Sequence, residues 1–278
     1  MQGRKLGGLL GAALLVLTGC EGGDSDELAG IEFASPALQQ CFDDIRTDYG
    51  LTELSDYIML HCQGYPVTSL GGIEALPYLE SVAFDSEHLE TLAFNDNPGI
   101  WQVLLTTPNL TQLDLSGLPD LANLIVSGST PLTSLDLSDN PLLSRVWVAK
   151  TGLTTLDLFQ HAELTELVVE KNPALTTLTL GQSPELAGLW GSENALTHLA
   201  LSGLPKLEIL SVSFNQLTEL DVAANTELEA LLASFNQLQT INLDSNAQLQ
   251  MLTLLENPLS DETRAYLDSL GWKADQDY

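Results

Sequence analysis

Between Leu207 and Asn257 one short phrase recurs five times in register, and this constrains the fold more than anything else in the chain. The units read LEILSVSFNQ, LTELDVAANTE, LEALLASFNQ, LQTINLDSNAQ and LQMLTLLEN, beginning at Leu207, Leu217, Leu228, Leu238 and Leu249. Each places apolar residues at its first, fourth and sixth positions and Asn at its ninth. Spacings of ten and eleven residues alternate, so the full repeat is a pair of units of 21 residues, a period that indicates a solenoid. Such a unit cannot bury its apolar edge alone and must stack on its neighbours.

The LxxLxL phrase followed by Asn resembles the leucine-rich repeat family, and VTSLGGIEALPYLESV over residues 67–82 resembles the first turn of internalin-like repeat domains. Extending the register backward gives A units from Leu79, Ile100, Leu121, Leu143, Leu164, Leu186, Leu207, Leu228 and Leu249. B units start at Leu89, Leu110, Leu132, Leu153, Leu175, Leu196, Leu217 and Leu238. In the first half the ninth position degenerates to Leu118, Ser129, Thr151 and His161, yet the register survives. The fold class expected is therefore a solenoid of about nine leucine-rich turns, with parallel β-strands on both faces and a short helical cap at each end. The ninth-position Asn should turn inward and satisfy backbone groups at the bends.

The leader carries Arg4 and Lys5 before an apolar run from Leu6 to Leu17. That run is short for a spanning helix and reads as a secretory signal. It closes on Leu17-Thr18-Gly19-Cys20, which resembles the lipobox of bacterial lipoproteins. The resemblance implies cleavage before Cys20, lipidation of that cysteine, and, with Glu21 following it, an outer-membrane address in the cell envelope. Several acyl chains hold a protein at a bilayer where one would not. The domains expected are thus a signal peptide over 1–19, an acidic flexible tether over 20–35, an N-terminal cap over 36–66, the repeat array over 67–258, and a C-terminal cap helix and tail over 259–278.

In the N-terminal cap, Ser35-Pro36 opens a helical pattern with Leu38, Cys41, Phe42 and Ile45 on one face, and Gly50 ends it. In an exported chain Cys41 and Cys62 are expected to pair as a disulfide; two buried thiols are the competing reading, and a metal site lacks further ligands. At the other end, Ser260 or Asp261 can cap a helix whose Tyr266, Leu267 and Leu270 cover the last turn, with Trp272 over its edge.

The outward residues of the two kinds of unit differ. The central outward column of the B units runs Asp114, Asp136, Asp157, Thr179, Ala200, Asp221, Asn242, a polar face. Its stacked carboxylates offer oxygen ligands for Ca²⁺, but no calcium-binding repeat phrase accompanies them and no metal is assigned. The A-unit column runs Ala83, Leu104, Ile125, Trp147, Val168, Trp190, Ser211, Leu232, Thr253, an apolar strip flanked by Arg145. A contiguous exposed apolar strip marks an interaction surface, and tryptophan is enriched at the energetic centres of such surfaces. The protein-binding residues expected are Leu104, Ile125, Arg145, Trp147, Val168, Trp190 and Leu232. The alternative is an acidic structural or adhesive spacer, calcium-assisted, without a dedicated pocket.

Net charge is −29, from 38 acidic and 9 basic residues. Such a surface repels nucleic-acid phosphates and anionic lipid headgroups, so the expected partner is a protein or peptide, with membrane contact through the lipid anchor alone. No nucleophile elbow, zinc-protease helix or phosphate loop occurs. His61, His88, His161 and His198 fall in different units with no Ser or Cys aligned beside them. An enzyme and a cofactor are not expected, and a monomer is.

Overall fold

A computed structural model describes residues 27–28, 30–94 and 96–271. The leader, Cys20 and Trp272 lie outside the described residues. Helix α1 (Pro36–Tyr49) opens with Ser35 accepting the Leu38 amide at 3.4 Å, Pro36 in its first turn, and Gly50 at φ 65° ending it. Strand β1 (Met59–Cys62) follows, and the Cys41–Cys62 disulfide ties it to α1. Phe42 lies between Phe33 and Tyr57, with ring centroids 5.1 and 4.5 Å away, and the Tyr57 hydroxyl donates to the Phe42 carbonyl at 2.7 Å. Of the stretch expected to be a tether, residues 31–35 lie against this cap. The Ala34 amide donates to the Gly71 carbonyl at 2.8 Å, and the Gly72 backbone packs so closely on Glu32 and Phe33 that no Cβ fits.

The repeat array then alternates between two sides. The A units supply β2 (Ser81–Phe84), β4 (Gln102–Thr106), β6 (Asn123–Ser127), β7 (Arg145–Ala149), β9 (Glu166–Glu170), β11 (Gly188–Trp190), β12 (Ile209–Ser211), β13 (Ala230–Leu232) and β14 (Met251–Thr253). With β1 at one edge they form a ten-stranded sheet in which each strand pairs parallel with the next turn. The B units supply β3 (Thr91–Ala93), β5 (Gln112–Asp114), β8 (Thr155–Leu158) and β10 (Thr177–Leu180), which pair only as β3–β5 and β8–β10. The expected strands on both faces are present, but unequally.

Alternation fixes the core. The fourth-place residues Val82, Val103, Leu124, Val146, Leu167, Leu189, Leu210, Leu231 and Leu252 align across the ten-stranded sheet and are all buried. Side chains two residues apart share a face, so the sixth-place Leu105, Val126, Val148, Val169, Val212, Ala233 and Leu254 join them inside. Helix α2 (Asp261–Ser269), capped by Ser260, closes the far end with Leu267 buried and the Tyr266 hydroxyl accepting the Leu243 amide at 2.9 Å. Leu270 points outward instead of covering the last turn.

The ninth-position asparagines form two ladders of different completeness. In the A units, Asn236 Nδ2 donates to the Val212 and Ala233 carbonyls at 2.9 and 3.1 Å, and its Oδ1 accepts the Leu217 amide at 3.0 Å. Asn215 and Asn257 follow this pattern, whereas the Oδ1 atoms of Asn172 and Asn194 accept the amide of the preceding ladder residue itself, Thr151 and Asn172. In the B units, Asn97, Asn140, Asn225 and Asn246 use only Nδ2, each donating to two carbonyls. Their buried Oδ1 atoms find no partner among the described residues. His161 stands in the same ladder, with Nε2 3.0 Å from the Leu137 carbonyl. The residue just before the A-unit ladder position (Lys150, Lys171, Glu193, Phe214, Phe235, Glu256) is held at φ 57–59°, a left-handed bend without glycine.

Candidate interaction face

The outward side of the ten-stranded sheet carries the residues singled out by sequence, and the register brings them together. Leu104, Ile125, Trp147, Val168 and Trp190 stand in one row, each paired with the next across adjacent strands, and Leu232 continues the row beyond Ser211. Their exposure is uneven. Trp147 is 43% exposed, Leu104, Ile125, Trp190 and Leu232 are half-buried, and Val168 is only 8% exposed between the two tryptophan strands. Ala83 is buried, which ends the strip on the cap side.

Trp190 does not project. A Cβ on Gly188 would lie 2.3 Å from the Trp190 ring, so the indole folds down over the glycine two residues earlier on its own strand. The missing side chain at Gly188 is what lets the ring lie against the sheet. The signal was present in the sequence as a glycine two places before a tryptophan in an otherwise side-chain-bearing column. Arg145 is exposed, and its Nε donates to Glu166 at 2.8 Å across the strand pair, so it meets the strip already paired.

Glu170 ends β9 on the same outward side, two residues after Val168 and beside Ala149. It is half-buried, and burial pushes its carboxyl above the ordinary value, with Lys171 opposing and Glu193 reinforcing the shift. Lys171 is itself 3.6 Å from Glu193. At the far end of the strands Phe214 and Phe235 stack with centroids 4.3 Å apart and planes 8° apart, 51% and 43% exposed. Sequence spacing set both rings near the strand ends; their stacking follows from the shared left-handed bend.

The opposite side is polar and differently built. Two open clefts of about 700 and 770 Å³ run along it, one lined by Asp114, Asp136 and Asp157, the other by His198, Glu219 and Asp221. The aspartates are engaged in turns: Asp114, Asp136, Asp157 and Asp221 each accept the backbone amide two residues on, at 2.9–3.0 Å. Hydrogen bonds from Ser116 and Ser138 hold the Asp114 and Asp136 carboxyls below the ordinary value. The carboxylate column is therefore a series of turn caps.

One alignment differs from the sequence expectation. His61 Nε2 lies 2.9 Å from Ser81 Oγ, because β1 and β2 pair in register and the imidazole leans back by one pleat. Ser81 is 3% exposed and donates to Gln102 Oε1 at 2.9 Å, so its proton is directed away from the imidazole. The nucleophile–base pairing needs the serine proton on the histidine side, and this row is a polar seam across three strands. Burial lowers the His61 pKa, which favours the neutral ring.

Stacked parallel rungs of 21-residue period, leucine-packed inside and asparagine-laddered at the bends, define a leucine-rich repeat solenoid. Comparison with solved structures agrees. The chain is similar to the functional domain of InlJ from Listeria monocytogenes, 27% identical, with TM-score 0.50 over 75% of this chain and 51% of that one. It therefore spans about half the length of that domain. It is also similar to the leucine-rich repeat domain of APL1B, 23% identical, with TM-score 0.59 over 72% of this chain and 62% of that one. No family model and no curated protein sequence matches the chain. Among the described residues no helix is long and apolar enough to cross a membrane.

Proposed function

We propose that the chain is a lipid-anchored module of the bacterial cell envelope that binds a protein or peptide through the outward face of its ten-stranded sheet. The observation that carries this reading is the apolar row centred on Trp147 on the continuous ten-stranded sheet, beside which Arg145 is already paired with Glu166. A rigid, flat array of side chains on a continuous sheet presents such a row without an ordering cost on binding. The other side offers aspartates occupied by turn amides and is the weaker candidate. Repeat folds of this class serve as extended protein-binding surfaces.

Anchoring rests on Leu17-Thr18-Gly19-Cys20. Lipidation at Cys20 leaves the acidic stretch after it as a spacer between bilayer and cap, and the outer membrane is the address that Glu21 supports. The body is read as monomeric, without nucleic-acid contact and without enzymatic activity. Incorporation of labelled palmitate, abolished by Cys20→Ser, tests the anchor; incorporation that survives the substitution refutes it. The face is tested by placing a photo-crosslinking residue at position 147 and, separately, at position 219 on the opposite side. A discrete adduct from 147 alone supports the reading, and adducts from 219 alone overturn it. The alternative, an acidic adhesive spacer assisted by calcium, draws on the Asp-lined cleft. It requires a rise in melting temperature at millimolar Ca²⁺ that is lost in Asp136→Asn.

A further inference from the structure

We propose that the occupant of the Trp147 face is a cationic chain segment, an extended peptide that sets lysine or arginine side chains between the Trp147 indole and the Glu170 carboxylate. This rests on the preceding reading that the face is the interaction surface, and adds the chemistry of what it receives.

Three features of the face converge on it. The Glu170 carboxylate has no hydrogen-bond or ion-pair partner among the described residues, although the residue is half-buried beside Ala149 and its carbonyl accepts the Lys150 amide at 3.1 Å. Of the neighbouring cations, Arg145 is engaged with Glu166 at 2.8 Å and Lys171 with Glu193 at 3.6 Å, and exposed Lys150 meets Glu170 through its backbone amide on the carbonyl at 3.1 Å. A half-buried carboxylate without a partner is costly to keep charged, and the raised Glu170 pKa reflects that cost. An incoming cation relieves it.

The second feature is distance. Trp147 pairs with Val168, two residues before Glu170, so ring and carboxylate lie one strand apart and two residues along. Strand spacing and rise put their Cα atoms about 8 Å from each other. A single ammonium or guanidinium group spans that diagonal, stacked on the indole face on one side and hydrogen-bonded to the carboxylate on the other. The aliphatic stem of the same side chain lies over apolar surface, here Val168 and the flattened Trp190 ring. Third, the net charge of −29 concentrates cationic partners around the body and repels anionic ones.

The test is titration of the full chain with three short synthetic peptides of equal length, alternating serine with lysine, with alanine or with glutamate, followed by tryptophan fluorescence. The lysine peptide is expected to bind, and Trp147→Ala and Glu170→Gln each to raise its Kd about tenfold. Glu219→Gln removes the same charge from the opposite side and should leave Kd unchanged. Equal weakening by Glu170→Gln and Glu219→Gln would reduce the effect to a long-range field and overturn the inference. An alanine peptide that binds as tightly, depending on Trp147 but not Glu170, overturns the cationic assignment while the face reading stands. Lysine-peptide binding that ignores both Trp147 and Glu170 overturns both, and absence of lysine-peptide binding up to millimolar concentration overturns the inference. Circular dichroism of each variant confirms that the fold is kept.

Discussion

The two asparagine ladders predict a large difference between two chemically identical substitutions. Asn236→Ala removes the acceptor for the buried Leu217 amide and the donor shared by the Val212 and Ala233 carbonyls. Those carbonyls keep a second donor each, Asn215 for Val212 and Asn257 for Ala233. The amide keeps none. A buried amide left unpaired costs about 1–3 kcal/mol, and each lost secondary bond about 0.5 kcal/mol, so the total is about 2–4 kcal/mol. Asn246→Ala removes donors to the Val222 and Asn225 carbonyls. Both retain backbone donors, Asn225 at 3.0 Å and Leu228 at 3.2 Å. The same substitution also deletes an Oδ1 that has no partner. Its cost should fall to about 1 kcal/mol or less. Side-chain volume lost is identical, so the cavity contribution largely cancels in the comparison. Urea unfolding of the two variants, compared at matched m-values, should separate them by about 2 kcal/mol. Equal destabilisation, or a greater loss in Asn246→Ala, would refute the assignment of unequal ladders.

Further outcomes follow from the same geometry. Gly181→Ala would set a Cβ 1.8 Å from the Phe159 carbonyl oxygen, and the forced separation of adjacent turns should cost about 1–3 kcal/mol by thermal or chemical unfolding; an unchanged midpoint would show the turns to be loosely packed. Replacing Cys41 and Cys62 by alanine opens a 21-residue loop closure, which the chain-entropy estimate sets at about 3 kcal/mol; loss should appear first as exchange of the α1 amides. Acid sensitivity has two opposed parts. Asp114 and Asp136 have depressed folded values, so the stability they add is present above their unfolded value of 3.8 and lost as pH falls through the folded one. Glu170 is shifted upward, so its contribution falls as pH rises above 4.5. Melting curves should show Asp114→Asn flattening the acid limb, and Glu170→Gln gaining on wild type as pH rises from 4 to 7; a gain in the opposite direction would refute the burial of Glu170.

The rungs were legible in the sequence because burial acts on every turn alike. The first, fourth and sixth positions read inward in the LEILSV phrase and in the degenerate early units, and the structure buries Leu121, Leu124 and Val126 as it buries Leu207, Leu210 and Val212. The ninth-position ladder was visible as a column of Asn, but its division was not. One ladder tolerates Leu118 and Leu204 while the other substitutes Ser129 and Thr151, a difference that needs the hydrogen-bond partners to interpret. On the face, register correctly aligned Trp147 with Val168 and Trp190, yet period-2 alternation states only which side a residue leaves from. It could not show Val168 enclosed between its neighbours, which depends on rotamers set by the adjacent strands, and for Trp190 the only sequence signal was Gly188 two places earlier on its own strand. The contact between His61 and Ser81 was missed for a related reason, since β1 belongs to the cap and carries no repeat phrase to number it by.

The shared carbonyls of the A-unit ladder bear on how such a protein changes length. Asn215, Asn236 and Asn257 each grip their own turn and the one before it. A duplicated or deleted pair of units therefore presents the same grips on either side of the seam, and the 22-residue turn from Leu164 to Leu186 keeps them too, with Asn194 still bonded to Val169 and Asn172. Genes for chains of this kind can drift in whole rungs with little penalty, and the reach of the molecule from its cap becomes a quantity that selection adjusts in single steps.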